Sequence, residues 1–317
     1  MSCTALLVGD GKPRAIAPDK AADYQGPGFV WLHVEGTDED ELALLRGRDI
    51  PEIAANALVA TETRPRCDRI EEGVIVNLRG PAAGEVESSD RLVSIRMWVR
   101  RAKVDSVSRH RIGAIEAVTA RMRGGRIVDP GDLVAAFARE ISKQLDPEVA
   151  ALGDALDDAE SELEEGNIYR LRSSIARIRS EAIAYRRFVA PDRDALETLA
   201  AQDVDWLAED DRLHIREAAD RFARMAEELE AVRERAALLH EQITDLRAEQ
   251  IDQRSLYISV VAFIFLPLTF ITGLLGMNVE GIPYADTHWA FWGVVAFCAA
   301  VGAAVLAWFS YRHWLRR

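Results

Sequence analysis

Cysteine is scarce and scattered: Cys3, Cys67 and Cys298 are the only three among 317 residues, and none has a Cys or His neighbour at metal-ligand spacing. That excludes a zinc knuckle and a disulfide framework. A phosphate-cradling loop is missing as well, since Gly124-Gly125 lacks both the glycine spacing and the following Lys-Ser/Thr of a nucleotide site. No arrangement of nucleophile, base and orienting group suggests an enzyme. The net charge is -13, which argues against a partner held by phosphate contacts, so no nucleic acid is expected. Residues 1–30 carry no apolar leader core, because Asp10, Lys12, Arg14, Asp19 and Lys20 interrupt it. The amino terminus is therefore expected to stay in the cytosol.

Charge is missing from two long stretches near the carboxyl end. Ser255–Val279 contains no Asp, Glu, Lys, Arg or His, and Thr287–Tyr311 contains only His288 of these. At about 1.5 Å per residue either stretch spans the roughly 30 Å hydrocarbon core of a bilayer. Trp289, Trp292, Trp308 and Trp314 sit near the ends of the second stretch, as in an interfacial aromatic belt. Arg247 and Arg254 precede the first stretch, and Arg312, Arg316 and Arg317 follow the second. The loop between them carries only Glu280 and Asp286. The positive-inside rule then places both termini in the cytoplasm. The whole acidic surplus lies upstream of Ser255, in material of a different kind.

That upstream portion begins as an α/β domain with a mixed sheet. Strands are expected at Ala5–Val8, Gly28–Val34, Gly73–Arg79, Leu92–Val99 and Lys103–Ser108, with helices at Asp38–Arg46, capped by Thr37, and Pro51–Leu58. Asp146 and Pro147 suit the start of a helical hairpin that turns at Glu165-Gly166-Asn167 and ends at Pro191. A short helix is expected next, then a final helix from about Asp210. Neither Pro nor Gly occurs from Asp210 to Leu266, so this helix is expected to run into the membrane.

The expected division is 1–145 for the α/β domain, 146–209 for the hairpin and connector, 210–254 for a stalk and 255–279 for the first span. An outer loop at 280–286, a second span at 287–311 and a basic tail at 312–317 complete it. Two stripes run along the final helix. Leu229, Val232, Ala236, Leu239, Ile243, Leu246 and Gln250 form a heptad-like seam that is expected to need partners from other chains. About one residue out of phase lie Glu241, Asp245, Ala248, Asp252, Ser255, Ser259, Ala262, Leu266, Thr269 and Gly273. Two spans cannot enclose an aqueous path, so transport requires several copies, each turning this second stripe inward. Repeated carboxylates at Glu241, Asp245 and Asp252 would concentrate cations there. Small and polar side chains in a span equally serve helix packing. The stripe holds no His or Cys, so no first-shell metal ligand is assigned; His33, His110, His214, His240 and His313 are assigned no site, and His288 in the outer loop suits either interfacial packing or a metal.

Gly276-Met277-Asn278 stands at the outer end of the first span, behind Pro267-Leu268-Thr269-Phe270. Together with the second span and the large acidic portion, it resembles the CorA-type metal ion transporters. Within them the chain is more similar to the ZntB zinc-transporter branch. The segments that carry this are Glu62-Thr63-Arg64-Pro65-Arg66, Asn77-Leu78-Arg79-Gly80, Ser94-Ile95-Arg96-Met97-Trp98, Arg186 to Leu196, Arg216 to Asp220 and Val279 to Pro283. The resemblance implies a funnel-shaped homopentamer in the bacterial inner membrane, with the long helix lining the pore and Gly276, Met277 and Asn278 at its outer mouth. It implies zinc as cargo, with cadmium or nickel beside it, and no resident cofactor. Proton-coupled uptake and efflux are both accounts of that branch. A magnesium or cobalt channel of the same build, and a non-conducting membrane-anchored scaffold or sensor, are the alternatives. Leu275 replaces the tyrosine usual before the tripeptide in the magnesium channels. Glu280 stands where the zinc branch often has glycine, which would add an outer ring of carboxylates.

Overall fold

The computed structural model describes residues 3–9, 12–36, 45, 50–61, 64–84, 92–164, 168–277, 282 and 287–314. The described elements are β1 (Cys3–Gly9), β2 (Lys12–Ala15), α1 (Pro18–Ala22), β3 (Phe29–Glu35), α2 (Glu52–Val59), β4 (Arg66–Ile70), β5 (Gly73–Pro81), β6 (Leu92–Val99) and β7 (Lys103–Ser108). After these come α3 (Ala114–Arg123), α4 (Pro130–Glu164), α5 (Ile168–Ala200), α6 (Glu209–Leu275) and α7 (His288–Trp314). The chain divides into two compact units, Met1–His240 and Glu241–Arg317.

In the first unit seven strands form one sheet in the order β2-β1-β3-β7-β6-β5-β4. Every pairing is antiparallel except β3 with β7, so the sheet is mixed, as expected. Side chains alternate across it. Val30, Leu32 and Val34 join Ala21 of α1 and Ala54, Ala57 and Leu58 of α2 in one core. Trp31, on the other face of β3, meets Phe137 of α4 edge to face, with ring centroids 5.7 Å apart. Helices on both faces explain why these strands read as nearly continuous apolar runs rather than clean alternations. Gly28 is held by this packing: its φ is +93°, and a Cβ there would strike the Val8 carbonyl.

The five expected strands all form, whereas β2 and β4 were not expected. Pro13 in the one and the charges of Arg66-Cys67-Asp68-Arg69 in the other hide short edge strands. The expected helix at Asp38–Arg46, with its cap at Thr37, lies outside the described residues except for Leu45.

Two helix boundaries need correction. The hairpin helix does not start at Asp146: α4 begins at Pro130 and carries Pro147 within it. Leu133, Phe137, Ile141 and Leu145 continue into Val149, Leu152 and Leu156 as one buried stripe, while Asp146, Pro147 and Glu148 are exposed. Packing along the stripe offsets a proline cost of about 3 kcal/mol. Likewise α5 does not stop at Pro191 but runs to Ala200, because Asp192, Ala195, Leu196 and Leu199 remain buried beyond it.

The third correction concerns the seam on α6. Leu229, Val232, Ala236, Leu239 and Ile243 are buried within a single chain, each 4% exposed or less. Helices α4 and α5 clasp this part of α6 through ion pairs. Arg235 lies 2.7 Å from Asp157 and also bonds Glu160, and Arg186 lies 2.9 Å from Glu230. This part of the seam is therefore satisfied inside the subunit, whereas Leu246 is exposed and Gln250 half-buried further along.

Candidate cation path

In the second unit α6 and α7 are each long and apolar enough to cross a membrane. Hydroxyls within α6 turn back onto its own backbone. Ser259 Oγ donates to Ser255 O at 2.8 Å, and Thr272 Oγ1 to Leu268 O at 2.9 Å. Such bonds let polar side chains exist in an apolar helix without unsatisfied groups. Pro267 lies inside the helix, and Gly276 N–H closes its last turn on Thr272 O at 2.9 Å.

The two faces of this segment differ. Val260, Ile264, Leu268 and Ile271 are its partly covered positions, and Ala290, Val294, Cys298, Val301, Val305 and Phe309 are partly covered along α7. Both sets recur at three- and four-residue spacing, which marks a seam between the two helices. Phe263 and Phe309 meet beside it, edge to face at 6.4 Å. At about 100° per residue, Ser255, Ser259, Ala262, Leu266, Thr269 and Gly273 centre about half a turn from that seam. All six are exposed in the single chain. A Cβ at Gly273 would meet nothing within 4 Å.

The lower part of the same stripe, Glu241, Asp245, Ala248 and Asp252, is exposed too. The structure thus brings the expected path residues onto one helix, with the sister helix on the other side. Gly276 and Met277 follow at the end of α6, Met277 being exposed. Asn278 and Glu280 lie outside the described residues. The donor set of the described stripe is hydroxyl, carboxylate and backbone oxygen. That set suits a cation keeping part of its water, since thiolate and imidazole are the ligands that hold zinc tightly.

One acidic cluster escaped the reading of the sequence. Carboxylate oxygens of Asp129, Asp132 and Asp211 lie within 4.8 Å of one another. Asp129 Oδ1 accepts from Asp132 N–H at 2.8 Å, while Asp132 Oδ2 accepts from Val128 N–H at 3.0 Å, a reciprocal cap at the start of α4. Asp211 caps α6 by accepting from Ala208 N–H at 2.9 Å. Burial, and then the charge of Asp129, pushes the Asp211 carboxyl up to about 6. Capping accounts for all three carboxylates; the Asp-x-x-Asp spacing at 129 and 132 was the available signal. His33 is buried between Ser106 and Ser108, at 2.9 and 3.3 Å, and burial lowers its pKa to about 4. It is a neutral core residue.

The profile of the family described as CorA-like Mg2+ transporter protein matches residues 26–317. The chain belongs to this family. CorA-family proteins are ion transporters, so the chain is a transporter of divalent cations and not an enzyme. Among its relatives, the zinc transport protein ZntB of Yersinia enterocolitica is 30% identical, covering 98% of this chain and 94% of that protein. The solved full-length CmaX protein is 27% identical with a TM-score of 0.78, covering 99% of this chain and 97% of that one. The CorA magnesium transporter of Methanocaldococcus jannaschii shares the fold at 17% identity, with a TM-score of 0.81 and 98% coverage of both chains. The amino-terminal sheet unit followed by long helices and two apolar carboxyl-terminal helices is thus the architecture of the CorA family.

Proposed function

We propose that the chain moves zinc across the bacterial inner membrane as a homopentamer, with α6 of each subunit lining the path and α7 forming the outer layer. The observation that carries this is the exposed stripe from Ser255 to Gly273, turned about half a turn away from the α6–α7 seam. One hairpin encloses nothing, so a small, hydroxyl-bearing face opposite the sister helix is what a ring of subunits needs at its centre. Zinc is favoured by relatives whose names specify it. Cadmium and nickel are further cargo in this reading, and a proton gradient drives uptake.

Both termini are cytoplasmic, so cations leaving the path meet Asp252, Asp245 and Glu241 in turn. Rings of these carboxylates raise the local cation concentration without holding any ion tightly. At the outer end, Gly276-Met277-Asn278 forms the mouth, where Asn278 presents one neutral side-chain oxygen per subunit to a hydrated ion. Glu280 adds negative charge outside it.

A magnesium or cobalt channel is the second reading, favoured by the oxygen-only donor set of the stripe. Uptake of radioactive zinc and of magnesium into vesicles holding the purified protein, with and without a pH gradient, separates the two. Zinc uptake enhanced by the gradient is the expected result. Magnesium uptake indifferent to it would establish the channel, and no uptake of either would rule out both as cargo.

A further inference from the structure

Two segments that carry the resemblance to the zinc branch, Asn77-Leu78-Arg79-Gly80 and Arg186 to Leu196, are far apart in sequence and serve no part of the path. The structure joins them. Strand β4 begins at Arg66, opposite Asn77, while β5 runs on to Pro81. Beyond Asn77 the outer edge of β5 has lost its strand, and Asp192 of α5 replaces it there: its Oδ1 accepts from Arg79 N–H at 2.9 Å. The guanidinium of Arg79 has other partners as well. It lies over the Phe188 ring at 3.9 Å and donates through Nε to Leu92 O at 3.0 Å.

Asp192 is fully buried, and its Oδ2 has no hydrogen-bond partner among the described residues. An ionised carboxylate with a bare oxygen in such a place is costly, whereas a neutral acid leaves only a hydroxyl unpaired. We propose that Asp192 is a proton-binding latch: with a proton on Oδ2 it fastens α5 to the free edge of β5, and loss of that proton loosens the fastening.

The surrounding charges agree. Arg79 on β5 is the one described charge that acts on Asp192. On α5 itself Arg187 flanks the Phe188 ring, and Arg193 is bonded to Asp194 and paired with Glu197. Arg66 and Asp68 on β4 pair with each other, Glu148 on α4 takes the Tyr185 hydroxyl, and Glu227 on α6 acts on Arg193. Burial holds the Asp192 carboxyl well above the usual carboxylate range, against the opposing pull of the Arg79 N–H and guanidinium. The latch bears on the transporter because α5 also grips α6 through Arg186 and Glu230, 2.9 Å apart.

The test uses the full-length protein in detergent and its Asp192→Asn variant, which reproduces the neutral acid in shape. An infrared band of a carboxyl that stays protonated above the usual carboxylate range should be present in the parent and lost in the variant. The folded acid binds its proton more tightly than the unfolded one, so the stability that Asp192 contributes is fully present below about pH 4 and is lost as pH rises through the folded carboxyl's titration. The variant should therefore gain in melting temperature over the parent as pH increases. If the Asn variant does not fold, Asp192→Ser carries the same comparison. The parent alone also answers, through hydrogen exchange of the segment holding Arg79, corrected for intrinsic rates. Its opening should rise with pH, by up to about tenfold per unit. No carboxyl band lost on substitution, a variant that loses ground as pH rises, or opening that is flat or falls with pH would each overturn the latch.

Discussion

Asn278 is the residue on which the outer mouth depends in the proposed pentamer. Replacing it by Ala removes the side-chain oxygen and amide of the whole ring at once, while a cap at a helix end is worth little beside the stability of a large assembly. Asn278→Ala should keep its oligomeric mass yet lose zinc uptake by on the order of tenfold, equivalent to about 1.4 kcal/mol in barrier. Loss of mass together with uptake would make Asn278 a cap only. Its place after Gly276 and Met277 was legible as a motif. The roles of Asp129, Asp132 and Asp211 were not, because Asp211 stands far along the chain from the other two and only folding brings the carboxylates together.

At the scale of the helix, α6 changes its partner along its length. Leu239 is buried inside its own subunit, at 4% exposed, so Leu239→Ala should destabilise the amino-terminal unit by about 2–5 kcal/mol. Thermal melting checks this. A variant that melts like the parent but falls apart into subunits would restore the seam as a contact between chains. Further along, the exposed carboxylates act through space. Exchanging Glu241, Asp245 and Asp252 for Gln and Asn should slow uptake at low ionic strength. The gap should close as salt shortens the screening distance below about 10 Å. A rate unchanged at every salt concentration would leave these residues as ordinary solvated side chains.

The helices also show where the sequence misleads. The 3,4 stripes of α4, α5 and α6 were readable, but Pro147 and Pro191 looked like a start and a stop. A proline penalty of about 3 kcal/mol is smaller than the burial that continues past each. Likewise the Leu229–Gln250 seam could be read as needing a partner, yet a periodic stripe does not say whether that partner is the same chain, as it is up to Ile243, or another.

For the whole molecule, the mixed sheet, the long helices and the apolar hairpin were visible in the sequence because each follows from local pattern: apolar runs, helical period, absence of charge. Edge strands β2 and β4 were not: each pairs with its neighbour in sequence, but Pro13 in the one and the charges around Cys67 in the other break the apolar pattern. The number of subunits rests on the family resemblance and on the need to enclose a path. Native mass measurement of the solubilised protein should give five chains of 35.2 kDa. A monomer competent for transport would end the pentameric reading.

The central claim is that the Ser255–Gly273 face of α6 lines the route of the ion, and chemical accessibility tests it most directly. Single cysteines are placed at Ser259 and Thr269 on that face and at Ile264 and Leu268 on the seam, after Cys3, Cys67 and Cys298 have been replaced. A small water-soluble thiol reagent should then label positions 259 and 269 and stop zinc uptake, while positions 264 and 268 stay unlabelled. Labelling of 264 and 268 with 259 and 269 protected would put the ion on the other side of the helix and contradict the account.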